Sequence, residues 1–423
     1  MKHKRLAIIP ILIPFLLAAS SCRCSGNKPS SIELNRTLTN ECSEDLIPKA
    51  ADRRMKTFMQ RWQLEGVSLA VTRNDSLLIA RGWGWADKEK KQRMEPSTIM
   101  RVASVSKLIT ACAIMKLREE GRLRLSDTVF GEGGILDGDP CASTIKDRNY
   151  YRITVEHLLR HQGGFRSTGE DPLFSTLNIM NAYGLSSPPD TDELLRCVLK
   201  RRLRNIPGST RSYSNIGYLI LSKVIEKASG QEYEEYVRKH VLEPAGCFDF
   251  HIARNYYKER YKGEARYYAP SNEENVPEFN GSGREVPRCY GGNNIRALSG
   301  AGAWVASAPE IARFVCSVDG RDEIPDILTK ESVRIMTEYP GEGIYPIGWN
   351  RTDPDIGWVR SGTLSGTNAL IKYFPDGECW VFITNTGTWK GPRFSRITSG
   401  LFRDLREVWS DKLPRRDLFS GSL

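Results

Sequence analysis

From Val105 to Glu120 the apolar residues Leu108, Ile109, Cys112, Ile114, Met115 and Leu117 recur at the spacing of one helical face, and Gly121 supplies a stop. It is the strongest periodic segment of the chain. Helical spacing also runs through 52–62, a short start at 153–159, then 191–200 and 216–228. It returns at 233–242 before Glu243-Pro244, at 308–318 and near 395–408. Period-two alternation marks strands at 67–73 and 76–85, parted by Asn74-Asp75 in the manner of a hairpin. A second strand pair, 367–373 and 379–385, is joined through Pro375-Asp376-Gly377. Gly, Asp, Pro and Asn crowd 131–150, and loops are expected there, at 169–190 and over 250–295.

Strands therefore gather near both ends of the chain and helices between them. The pattern predicts a two-lobed α+β fold. One lobe is an antiparallel sheet with flanking helices, from about 49–100 and 340–410, and the other is mostly helical, about 101–339. A cleft between the lobes is the default place for a site. The 423 residues, 40% hydrophobic and 26% charged, suffice for a substantial core.

The first residues read as an address. Lys2, Lys4 and Arg5 precede an apolar run from Leu6 to Ala19 that is too short to span a bilayer and is interrupted by Pro10 and Pro14. Residues 1–21 fit a secretory leader. The stretch from Leu17 to Cys22 resembles the bacterial lipobox, which implies a lipid anchor on Cys22, attachment to the membrane of the cell envelope, and a polar tether over 22–48 ahead of a domain at 49–423. Of ten cysteines, nine follow Cys22, and an odd number cannot pair completely within the chain. Cys112, Cys197 and Cys316 sit in apolar helical patterns and read as buried thiols, while Cys24 with Cys42 is a candidate bridge.

The net charge of +10 includes three cations of the leader, leaving +7, an excess suited to anionic wall or membrane surfaces. Arg201, Arg202 and Arg204 read as a solvated helix end, and no nucleic-acid motif accompanies them.

Three places carry candidate chemistry. Ser-x-x-Lys occurs at Ser25 to Lys28, Ser104 to Lys107 and Ser143 to Lys146, where residue frequencies alone predict about two. Context selects Ser104, which opens the strongest helix. Positions three apart share a helical face, so the Lys107 amine reaches the Ser104 hydroxyl and the two can share a proton. A free lysine is protonated at neutral pH, so a working base there needs burial or neighbouring cations. Tyr213-Ser214-Asn215 stands before the helix at 216; its phenol suits proton relay and its amide suits holding Lys107 or substrate, and otherwise the asparagine reads as a helix cap. Arg360-Ser361-Gly362-Thr363 precedes the strand at 367 in a turn-like setting, where the arginine could grip a substrate carboxylate.

In that order the three resemble the serine β-lactamase and penicillin-binding-protein-like superfamily, nearest to class C β-lactamases, D-Ala-D-Ala carboxypeptidases and their esterase relatives. The resemblance spans about 50–410, with further similar stretches at 153–161, 207–230 and 300–314. It implies that Ser104 attacks a carbonyl, that Lys107 and Tyr213 move its proton, and that Asn215 orients Lys107 and substrate. It further implies an oxyanion hole from the backbone N–H groups of Ser104 and Thr363, and no cofactor or metal. Arg360 stands where Lys or His is usual, which keeps the charge but removes a proton relay, and Gln162-Gly163 replace a common Thr-Ser.

Rival readings are weaker. His157 and His161 supply candidates for a Ser-His-Asp triad, yet no Gly-x-Ser-x-Gly elbow exists; for zinc, Leu158 stands where the helical motif needs Glu. A non-catalytic binder of wall peptides would keep the same fold. Among enzymes, D-amino-acid peptides and β-lactams with a carboxylate rank above simple esters.

Overall fold

The computed structural model describes residues 38–165, 171–409 and 413–420. The leader and Cys22 and Cys24 lie outside these residues. Chain order begins with α1 (Lys49–Trp62), β1 (Gly66–Arg73), β2 (Ser76–Asp87), β3 (Gln92–Arg93) and α2 (Ser106–Glu119). Next come α3 (Val155–Leu159), α4 (Thr176–Tyr183), α5 (Thr191–Leu199), α6 (Asn215–Ser229) and α7 (Tyr233–Val237). The last part holds α8 (Ala308–Cys316), α9 (Lys330–Thr337), β4 (Trp358–Leu364), β5 (Thr367–Tyr373), β6 (Glu378–Thr384) and α10 (Phe394–Trp409).

The two ends of the chain meet in one antiparallel sheet of strand order β3-β2-β1-β6-β5-β4. The join is β1 against β6, with Val67 opposite Thr384 and Ala70 opposite Val381. Asn74 and Asp75 both take positive φ, 48° and 61°, as a tight right-twisting hairpin turn requires. Alternate residues face opposite layers: Leu69, Val71, Trp380 and Phe382 pack with α1 and α10, whereas Ala70, Val381 and Ile383 pack into the larger core with α8 and α2. Both faces are covered, so β6 is buried along its whole length.

Four expectations change. Helix α8 packs on the sheet, against β1 and β6, rather than in the helical lobe. Helices α4 and α9 form where loop or no element was expected; α4 lies inside 169–190. The segment 360–363 is not a turn but the middle of the edge strand β4. Its buried positions are Arg360, Gly362 and Leu364, of which only the last is apolar, so no alternation of hydrophobic residues announces it. Finally, the tether does not reach residue 48: Leu38 is buried, the Asn40 side chain accepts from Gly82 N–H, and Ser43 Oγ accepts from Ala80 N–H, so this segment packs on β2.

Helix α2 is surrounded rather than amphipathic. Eleven of its fourteen residues are buried, Lys107 among them, against α6, α7 and the turn before 304. A three-stranded ribbon of 100–101, 304–306 and 251–252 anchors the start of that helix beside the sheet.

Candidate active site

Ser104 lies in a tight turn, Ala103–Val105, that leads directly into α2. Ala103 has a φ of 50°, a left-handed conformation that costs a non-glycine residue about 1–3 kcal/mol and persists only where surroundings impose it. Ser106 is one such constraint. Its buried hydroxyl donates to the Ala103 carbonyl at 2.6 Å and accepts from Trp304 N–H at 3.1 Å, fastening the turn to the ribbon.

The three candidate segments converge on Ser104. Tyr213 OH donates to Ser104 Oγ at 2.8 Å, and Lys107 Nζ stands 3.3 Å from the same oxygen. Lys107 also donates to Asn215 Oδ1 at 2.6 Å and to the Ala301 carbonyl. Asn215 Nδ2 in turn donates to Asp171 Oδ2 at 2.7 Å, which fixes the amide with its oxygen toward the lysine. The helix cap is Ser214, whose Oγ accepts from Gly217 N–H at 3.1 Å, leaving Asn215 for the site.

The electrostatics suit a base. Burial, followed by the Arg360 cation, depresses the Lys107 amine, while Tyr213 and Asp171 oppose the shift. Burial acts to raise the Tyr213 phenol, but the Lys107 and Arg360 charges and hydrogen bonding with Ser104 and Lys107 override it and bring the phenol down to about 8. Lysine and phenol therefore titrate as a pair. A neutral Lys107 has two N–H groups; given to Asn215 and Ala301, they leave its lone pair toward Ser104 Oγ.

Arg360 is drawn onto the Ser104 turn. Its side chain is 1% exposed, and Nε, at 2.7 Å, and Nη2 both donate to the backbone carbonyl of Ser104. Its Nε–Nη2 edge is thus taken up by the Ser104 peptide group. Ser361 is likewise engaged, donating from N and Oγ to Asn350 Oδ1 at 2.7 and 3.2 Å. Gly362 permits close approach: a Cβ there would stand 2.2 Å from Val102 O and 2.8 Å from Ser104 N. Strand β4 thus runs hard against the backbone of the Ser104 turn, with Thr363 next in line and its Oγ1 on Asn368 Oδ1 at 3.1 Å.

Neither histidine hydrogen-bonds Ser104. His157 Nδ1 accepts from Thr154 N–H within a capping box. His161 is buried, accepts from Ser214 N–H at 3.2 Å, and lies against the Tyr213 ring at 4.4 Å. Burial first, then Lys107 and Arg360, hold its imidazole well below the usual range and so neutral. It is a positioning residue for the Tyr213 loop. Asp171 and the Ala301 carbonyl were missed from sequence; Asp171 sits in a Pro-containing loop like many others, and a backbone carbonyl has no signature.

Comparison with known proteins gives the family. Residues 51–399 match the Beta-lactamase family, and the chain belongs to it. The protein flp of Staphylococcus aureus (strain COL) is 27% identical over 80% of this chain and 62% of its own length. The chain thus spans about three-fifths of that curated relative. The octameric penicillin-binding protein homologue from Pyrococcus abyssi is 26% identical, covering 84% of this chain and 77% of its own, with a TM-score of 0.63. The D-amino acid amidase from Ochrobactrum anthropi SV3 shares the fold at 18% identity, covering 87% and 99%, with a TM-score of 0.65.

Proposed function

We propose that this chain is a serine hydrolase that forms an acyl-enzyme on Ser104 and acts on an amide or ester of the D-amino-acid peptide or β-lactam type. The observation that carries the reading is the convergence of Tyr213 OH and Lys107 Nζ on one serine oxygen, at 2.8 and 3.3 Å. The basic form of the Lys107–Tyr213 pair takes the Ser104 proton as Oγ bonds to the substrate carbonyl carbon. The oxyanion is received by the N–H groups of Ser104 and Thr363, as in the family that the sequence resembles. Collapse breaks the bond to the leaving group, which departs with the proton the pair had taken. Water then attacks the ester carbon, giving one proton back to Ser104 and releasing the acid. Arg360 pins the peptide after Ser104 and depresses the base.

The amidase with the same fold is named for D-amino acids, which supports an amide of that type as substrate. The leader pattern supports a place at the cell envelope through lipid on Cys22; incorporation of labelled palmitate, lost in Cys22→Ser, tests it. Steady-state hydrolysis of p-nitrophenyl acetate and D-alanine p-nitroanilide tests the activity. Ser104→Ala and Lys107→Met are each expected to lose about 10³-fold or more in kcat. Turnover of either substrate that survives Ser104→Ala would overturn the reading.

A further inference from the structure

The positive excess of the chain is concentrated in one place. Helices α1 and α10, with the turn that leads into α10, cover residues 49–62 and 389–409 and hold ten Lys or Arg against three Asp or Glu. Outside these segments and the leader, the 48 remaining Lys or Arg are matched by 48 Asp or Glu. The two helices pack side by side on the face of the sheet opposite α2 and Ser104.

Between them runs a groove of about 650 Å³. Phe58, Ile397 and Leu401 make its floor apolar, and it stays open at Gly400, where a Cβ would meet nothing within 4 Å. At one end Trp62 and Trp389 lie 5.3 Å apart, and Trp389 is 48% exposed. Some of the surrounding cations are already matched: Arg54 pairs with Asp404 at 3.4 Å, Lys56 with Asp52 at 2.7 Å, and Arg406 with Asp376 and Glu378. Arg53, Arg61, Lys390, Arg393, Arg396 and Arg403 are exposed and form no ion pair among the described residues. Arg53 and Arg61 line the groove, and Arg396 and Arg403 share the helical face of Gly400. An apolar floor, a tryptophan rim and a surround of cations suit the headgroup layer of a bilayer, and the charge selects anionic lipid.

We infer that the α1–α10 face docks on the anionic lipid surface of the membrane, which turns the Ser104 side of the sheet away from the bilayer. The inference rests on the envelope placement read from the leader. Cys22 stands 16 residues before Leu38, the first described residue, and a chain of that length reaches at most about 55 Å. Lipid on Cys22 therefore holds the face close to the bilayer at a raised local concentration. The arginines meet the lipid phosphates, and Trp389 enters the headgroup layer beside them.

Co-sedimentation with vesicles tests it, using the chain from residue 23, which holds every described residue and lacks Cys22. Acylation then plays no part, so failure of the anchor and failure of the docking face are told apart. The chain is expected to sediment with phosphatidylcholine vesicles containing about one-third phosphatidylglycerol, to leave them in high salt, and to stay in solution with phosphatidylcholine alone. Arg53→Gln, Arg61→Gln and Arg396→Gln together should lower the partition coefficient about 100-fold. The same charge removed from the helical lobe, by Arg148→Gln, Arg152→Gln and Arg202→Gln, should change it by less than about threefold. Thermal melts establish that both triple variants are folded. No sedimentation with the anionic vesicles, or an equal loss in the two triple variants, would overturn the docking face. A dimer in sedimentation velocity that only the first triple variant abolishes, with no vesicle binding, would give the groove to a second copy of the chain and overturn it as well.

Discussion

Replacing Gly362 by alanine puts one methyl group between the edge strand and the Ser104 turn. The added carbon would begin 2.2 Å from Val102 O, 2.8 Å from Ser104 N and 3.0 Å from Ala103 Cβ, and real Cβ atoms stay beyond 3.0 Å. Strand or turn must therefore give by about 0.8 Å or more. None of the three neighbours is the end of a flexible side chain, and the turn is already committed to a left-handed Ala103. The displacement changes the separation of the Ser104 and Thr363 N–H groups, which are assigned to the developing oxyanion. A misplacement near 1 Å costs about 100-fold in rate, and removing one oxyanion donor costs about 10²–10³. The expected loss is thus about 100-fold in kcat, or about 2.7 kcal/mol, with KM little changed. Overpacking should cost about 1–3 kcal/mol of stability, so a thermal melt run beside the kinetics separates misfolding from misalignment. A folded Gly362→Ala chain that retains kcat within about threefold would refute the placement of the oxyanion hole between β4 and the nucleophile turn, because the estimated cost is ~100-fold.

The other expectations concern charge. In the wild-type chain kcat/KM should rise with pH through about 8, as the Lys107–Tyr213 pair loses the proton that blocks it. Arg360→Gln removes a cation that lowers both members, so the midpoint should move upward, and Arg360→Lys should retain part of the shift; a pH–rate series in which Arg360→Gln leaves the midpoint in place would count against its role. Asn215→Ala deprives Lys107 of a 2.6 Å acceptor and strands one Asp171 oxygen, so kcat should fall by about 10²–10³-fold, read by steady-state kinetics. Asp319 tests stability away from the site. Burial, then the neighbouring Asp75 carboxyl, raises its pKa to about 8, so the native state holds a proton that the unfolded chain releases near 4. Stability should therefore decline as pH climbs from about 4 to about 8. Asp319→Asn should raise the melting temperature more at pH 9 than at pH 5, and an equal effect at both would contradict the shift.

Much of this architecture was legible because its signals are local. The Asn74-Asp75 turn, the helix of Ser104 and the pair of strands around Pro375-Asp376-Gly377 each announce themselves within about a dozen residues, and all three formed. Their meeting at one serine, including the 2.8 Å contact from Tyr213 over more than a hundred residues of sequence, was legible only through motif order. What stayed hidden depends on partners distant in sequence. Strand β4 buries an arginine and a glycine, so its inward face carries no hydrophobic pattern. The direction of Arg360 follows from the Ser104 carbonyl, which no sequence displays. Helix α8 is as amphipathic as a helix of the other lobe, and only packing assigns it to the sheet.

The most direct measurement is intact-mass analysis of the folded chain after a short incubation with a fluorescent penicillin and, separately, with an activated aryl ester, beside the Ser104→Ala variant. The account predicts a covalent acyl adduct with at least one of the two reagents, mapping by digestion to the peptide that contains Ser104 and absent from Ser104→Ala. An adduct that persists in Ser104→Ala, or a wild-type chain that reacts with neither reagent, would contradict it.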